Sequence, residues 1–123
     1  MIHASAAELP AVAHSMVAAS RPGGSILIDH REIEFFREPS HRQTSHPGHR
    51  REVDVDFTTR HVSFYMRDNR DEAMTIEGRI HSIPEIVAAF EGAGARLIAD
   101  DHDHSFQLGK GIPEWHHLTF AVA

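Results

Sequence analysis

Apolar residues recur along the chain with two different periods, and the changes of period divide it into elements. Leu9, Val12, Ala13 and Met16 fall at i, i+3, i+4 and i+7, the spacing that collects apolar side chains on one face of a helix. Pro10 suits the first helical turn, where its missing N–H forfeits no hydrogen bond, although Ser5 and Glu8 have capping-box spacing and offer an earlier start. Arg21-Pro22-Gly23-Gly24 ends this segment in either case. The second helix has the better start signal: Ser82-Ile83-Pro84-Glu85 gives a capping serine, a proline in the first turn and a glutamate at the third helical position. Ile83, Ile86, Val87 and Phe90 continue its apolar face, which predicts a helix from Ile83 to Glu91 closed by Gly92 or Gly94.

Between and after the helices the period is two. Ile26-Leu27-Ile28 followed by Ile33, Phe35 and Phe36 reads as a hairpin turning at His30-Arg31. Val53, Val55 and Phe57 alternate with Asp54 and Asp56, while Val62, Phe64 and Met66 carry the apolar face in the opposite phase. A turn or bulge at Thr58-Thr59-Arg60 accounts for the change. After a polar turn at Asp68–Asp71, Met74, Ile76, Gly78 and Ile80 return, completing a three-stranded antiparallel meander. Residues 38–51 contain no apolar side chain, which predicts an exposed loop. A strand over Ala95 to Ala99 and a last antiparallel set ending in Leu118–Val122 complete the chain. The expectation is a single α+β domain over residues 1–123, a mostly antiparallel sheet of about seven or eight strands with the N-terminal helix and one internal helix packed on it.

Composition adds exclusions. Hydrophobic residues make up 41% and charged residues 24%, as in ordinary globular domains. The absence of cysteine removes disulfides, thiolate metal sites and cysteine nucleophiles together. No apolar run is long enough for a membrane span, and the N-terminus lacks the basic-then-apolar order of a signal peptide, so a cytoplasmic location and no membrane partner are expected. Twelve Lys+Arg against eighteen Asp+Glu give a net charge of −6, with Lys110 the sole lysine, which argues against a nucleic-acid-binding face. Such a domain suits a partner protein with a basic surface, or a second copy of itself through its N-terminal helix. Twelve histidines, if all protonated, would reverse that charge, since −6 + 12 = +6.

Motifs for nucleophilic catalysis are missing: the sequence has no Gly-x-Ser-x-Gly, no Gly-x-x-x-x-Gly-Lys and no His-Glu-x-x-His. Asp54 and Asp56, two apart on a strand, share a face and read either as paired carboxylates or as a solvated acidic edge. Arg50 and Arg51, in the one basic stretch, are candidates to clamp an anion such as phosphate or carboxylate. The densest cluster lies in Asp100-Asp101-His102-Asp103-His104 and Trp115-His116-His117. Turning the chain at Gly109-Lys110-Gly111 and pairing Leu108 with Ile112 keeps the apolar residues on one face. That register sets His104 across from His116 with His102 on the same face, whereas pairing Leu108 with Trp115 brings His117 there instead. Three imidazoles in this arrangement, His102, His104 and His116, suit a divalent metal such as zinc with one open position, and Asp100, Asp101 and Asp103 are available as a further ligand or as supporting acceptors. The pattern is not that of a cupin, because no glutamate follows His104 at short range and two helices are expected.

With no catalytic signature, the leading expectation is a small acidic, non-catalytic binding module that docks a partner protein, as inhibitors, immunity proteins and chaperones do, needing no cofactor. The alternative is a metal-dependent enzyme with its three histidines on the C-terminal hairpin. A third is a small-ligand or pH-responsive protein working through Arg50 and Arg51.

Overall fold

The computed structural model describes residues 7–46, 49–68, 72–103 and 115–123. Helix α1 spans Leu9–Ala19 with Pro10 in its first turn, so the proline start is the one adopted, and Ser5 lies outside the described residues. Strand β1 (Ser25–His30) buries every second residue, Ile26, Ile28 and His30. The expected return strand does not follow: Ile33–Arg37 is a 3₁₀ turn that buries Ile33, Phe35 and Phe36. Ile33 and Phe36 stand three apart, which is one full turn of a 3₁₀ helix, so the same residues satisfy both a period of two and a period of three.

Most of the described residues in the expected loop at 38–51 lie in regular elements. A short 3₁₀ turn (Pro39–His41) leads into β2 (Gln43–His46), and β3 (His49–Val55) begins well before its first apolar residue. Ladder hydrogen bonds come from the main chain, so a polar stretch lying against a neighbour forms a strand without an apolar face. With β4 (His61–Asp68) and β5 (Ala73–Arg79) these strands make an antiparallel sheet in the order β2-β3-β4-β5. Arg60 takes a positive φ of 65° at the β3–β4 turn, where the phase change predicts a break. The side chain of Asp56 closes that turn, accepting from the backbone N–H groups of Thr58 and Thr59 at 2.8 and 3.1 Å.

Helix α2 spans Ile83–Gly92, and Ser82 Oγ accepts from the Glu85 N–H at 3.2 Å, the predicted cap. Strands β6 (Ala95–Asp103) and β7 (Trp115–Val122) then join β1 in a second sheet ordered β1-β7-β6. Strand β7 is antiparallel to both neighbours, so β1 and β6 run in the same direction.

Each sheet has its own core. Leu9 and Ala13 of α1, Ile86 and Phe90 of α2, and Ile26, Ile28, Leu118, Phe120 and Val122 pack together, with the Phe90 and Phe120 rings stacked at 4.6 Å. Ile33, Phe35 and Phe36 pack on Val53, Val55, Val62 and Ile80 of the other sheet. The expectation of one mostly antiparallel sheet carrying both helices is therefore corrected: the strands divide between two sheets, and both helices lie on the three-stranded one. Periodicity identifies the buried face of each strand but not its partner.

The two halves are joined through β5 and α2. Arg60 and Ile80 exchange backbone and side-chain hydrogen bonds, Ile80 N–H to Arg60 O at 2.9 Å and Arg60 Nε to Ile80 O at 2.6 Å. Arg79 holds Glu85 in the first turn of α2, beside the fully buried His81. Among the described residues, no helix is long and apolar enough to cross a membrane.

Candidate site at the carboxyl edge of the three-stranded sheet

Because β1 and β6 run in the same direction and β7 opposes them, the carboxyl ends of β1 and β6 share one edge with the start of β7. The ladders set His30 opposite His116 and His116 opposite His102, a row of three imidazoles across three strands. Strand alternation puts His116 on the face of Leu118 and Phe120, beyond the cover of the helices. Asp100, two residues before His102 and opposite Leu118, belongs to the same face. It does so because the β6–β7 register shifts between Leu97 and Ala99, where Ile98 is an extra residue.

One oxygen of Asp100 is the centre of the cluster. It lies 3.0 Å from His116 Nδ1 and 3.4 Å from His102 Nε2, and the two rings meet edge to face with centroids 4.5 Å apart. The His116 side chain is 12% exposed and that of His102 44%, so the cluster is anchored on one side and open to solvent on the other. Next in the row, His30 is fully buried. Its Nε2 is 3.0 Å from Glu32 Oε1, an oxygen that also receives Arg60 Nη2 at 3.4 Å, while its Nδ1 has no hydrogen-bond partner among the described residues. The Arg31 guanidinium lies over the Phe35 and Trp115 rings at 4.2 and 4.1 Å, pinning the start of β7 to the 3₁₀ turn after β1.

His117 points to the other face. Its Nδ1 is 2.6 Å from Asp29 Oδ1 and its Nε2 3.9 Å from Asp103 Oδ2. The hydrogen bond to Asp29, helped by the charges of Asp29, Asp103 and Asp101, raises its pKa above 6.5.

Of the residues singled out from the sequence, His102 and His116 are brought together, and His104 lies outside the described residues. The register differs by two from the expected one, with His102 facing His116 directly. Asp100, seen from sequence as an auxiliary group, is the third member: among the described residues, its carboxylate and the two imidazoles offer ligand atoms all within 4.8 Å of one another. His30 was missed, although Ile26, Ile28, His30 continues the alternation of β1. Arg50 and Arg51 sit in β3, not in a loop. Arg50 pairs with Glu52, and Arg50 and Arg51 border a cleft also lined by Arg67, Asp68 and Glu72. Asp56 is occupied as a turn acceptor, its pKa lowered mainly by the Thr59 and Thr58 N–H groups, and it makes no carboxylate pair with the exposed Asp54. A separate cleft of 770 Å³ opens between α1 and α2, lined by Leu9, His14, Ala89 and Gly92 among others.

No protein-family model matches the sequence, and no curated protein matches it. Solved structures do match in fold. The CcbJ methyltransferase from Streptomyces caelestis aligns with a TM-score of 0.70 at 13% identity, covering 97% of this chain and 55% of that one. An S-adenosylmethionine-dependent methyltransferase from Clostridium acetobutylicum ATCC 824 gives 0.70 at 11% identity, over 97% of this chain and 52% of the other. CalS10 from Micromonospora echinaspora, an amino pentose methyltransferase of calicheamicin biosynthesis solved with S-adenosylmethionine, gives 0.54 at 13%, over 98% and 52%. The chain thus spans about half the length of the structures it matches. These matches correct the expectation of a non-catalytic, partner-docking module: the chain shares its fold with about half of each of three methyltransferases, one described as S-adenosylmethionine-dependent and one solved with S-adenosylmethionine bound.

Proposed function

We propose that the chain serves S-adenosylmethionine-dependent methyl transfer, as the portion of such an enzyme whose sheet edge faces the methyl acceptor. The observation behind this reading is the fold match over 97% of the chain to two methyltransferases at a TM-score of 0.70. The carboxyl edge is also where open α/β sheets receive ligands, outside the ends of their parallel strands. Here that edge carries imidazoles, carboxylates and the Arg31–Trp115 contact.

The described residues do not by themselves fit the cofactor. Adenosine-bearing cofactors on such sheets use a glycine-rich connection from strand to helix, where the backbone must approach closely. The connection after β1 is Arg31-Glu32 leading into Ile33, and the one after β5 is Ile80-His81-Ser82; neither contains glycine. The groups that hold the adenosyl portion are accordingly assigned to positions other than the described residues.

The test uses the protein purified from its source together with whatever it is bound to. Incubated with methyl-labelled S-adenosylmethionine and acceptors bearing amine or hydroxyl groups, that preparation is expected to release S-adenosylhomocysteine and label an acceptor. A preparation that neither binds S-adenosylmethionine nor releases the product overturns the reading. The chain alone is expected to give no saturable calorimetric binding of the cofactor, and micromolar binding would overturn the assignment of the cofactor-holding groups elsewhere.

A further inference from the structure

We infer that Asp100, His102 and His116 form a binding site for a divalent transition-metal ion of the zinc type. Side-chain geometry leads to it, and it holds whether or not the chain takes part in methyl transfer.

Zinc binds imidazole nitrogen at about 2.0–2.1 Å and carboxylate oxygen at about 2.0–2.2 Å, almost always in a tetrahedron. The edge of such a tetrahedron is about 1.63 times the bond length, so neighbouring ligand atoms should stand about 3.3–3.5 Å apart. Asp100 Oδ1 is 3.0 Å from one imidazole nitrogen and 3.4 Å from the other, and all three ligand atoms lie within 4.8 Å of one another. An ion enters the triangle with shifts of a few tenths of an ångström on those two edges. A hydrogen bond between His116 and Asp100 would account for the first distance alone. His102, two residues along Asp100's own strand, approaches the same oxygen, so imidazoles from β6 and β7 meet at one carboxylate and together offer an ion three ligand atoms.

The backbone favours the same arrangement. His102 and His116 are direct partners in the β6–β7 ladder, so their Cα atoms are fixed before any ion arrives. His116, the least exposed of the three, anchors the site, while Asp100 and the exposed His102 leave a route from solvent. Two nitrogens and one oxygen select zinc and neighbouring transition metals over magnesium and calcium, which take oxygen ligands. Three protein ligands leave a position open for water or for an oxygen or nitrogen of a bound molecule.

The test is titration of the untagged, metal-free chain with Co²⁺, whose visible bands report coordination geometry, followed by displacement with Zn²⁺. The expected result is one equivalent bound with the absorption of a four- or five-coordinate cobalt centre. Asp100→Asn and His102→Ala should each weaken binding by about 100-fold or more, since loss of a merely supporting residue already costs about 10- to 100-fold. Both residues are exposed, so circular dichroism should find these variants folded. His14→Ala and His61→Ala, at exposed histidines away from the cluster, should bind as the parent does. Absence of saturable binding overturns the site, as does binding that survives His102→Ala or is weakened equally by His14→Ala.

Discussion

Replacing Glu85 with glutamine removes one negative charge at the junction of the two halves and keeps the shape. Arg79 donates twice to this carboxylate, Nη1 to Oε2 at 2.5 Å and Nη2 to Oε1 at 3.1 Å, and His81 Nδ1 lies 3.5 Å away. A charge-assisted bond in a sheltered place contributes about 1.5–3 kcal/mol, an exposed ion pair at most about 1. The side chains of Arg79 and Glu85 are 25% and 38% exposed, so solvent screening lowers the figure toward the second range. Glu85 also stands in the first turn of α2, where a negative charge gains a few tenths of a kcal/mol from the helix dipole. Glu85→Gln is therefore expected to cost about 1.5 kcal/mol at pH 7, or a fall in Tm of about 5 °C for a domain of this size. The pH dependence provides a second check. Arg79 is the main cause that holds the Glu85 pKa below 4.5, so its contribution is complete above that value and is lost as pH falls through the folded-state pKa. Urea unfolding followed by far-UV circular dichroism, from pH 7 down to pH 3, should find the gap between parent and variant closing in that window. Arg79→Met in the same series should remove most of the effect of Glu85→Gln. A gap below about 0.3 kcal/mol at pH 7, or one that persists unchanged at the acid end, would refute the reasoning.

Three further outcomes can be checked with similar means. Phe120→Ala empties a fully buried position stacked on Phe90 and should cost about 3–5 kcal/mol in urea unfolding, against about 1 for Phe120→Leu. Asp29→Asn should bring the His117 pKa down toward 6.5 by NMR titration of its ring protons; because that pKa is raised in the fold, the stability it gives is complete below 6.5 and is lost as pH rises through the folded value, and the variant should lack this loss. Asp56→Ala removes the acceptor of two turn amides, so the Thr58 and Thr59 N–H groups should exchange faster with solvent at neutral pH, a difference that shrinks as the parent's carboxyl is protonated well below pH 3.8.

Where structure follows from neighbours in sequence, the chain could be read directly. Ser82, Pro84 and Glu85 act within one turn, and α2 begins where they predict. Val53 to Ile80 form a meander because short turns join consecutive strands. Where structure depends on distant partners, the residues were silent. The division of the strands between two sheets rests on the long-range pairing of β1 with β7, whereas β2 and the start of β3, though neighbours in sequence, have no apolar face to mark them. His102 and His116 could be found as residue types, but their register was inferred from Leu108 and Ile112, which lie outside the described residues, while the shift at Ile98 left no trace in the pattern. The likeness to methyltransferases was not legible at all, since fold is shared at 11–13% identity with no motif to carry it.

The extra residue in β6 separates the history of the core from that of the edge. Up to Leu97 the strand presents odd-numbered side chains to the helices; after Ile98 it presents even-numbered ones, Asp100 and His102, to the face of His116. Were Ile98 taken up by regular pleating, Ala99, Asp101 and Asp103 would occupy that face instead, and the imidazole of His102 would turn away. A change of one residue in strand length can thus exchange the whole set of groups at the end of the sheet without altering a single packed side chain. Deleting Ile98 is therefore expected to change the groups at the sheet edge while leaving the pairing of Leu97 with Phe120 in place.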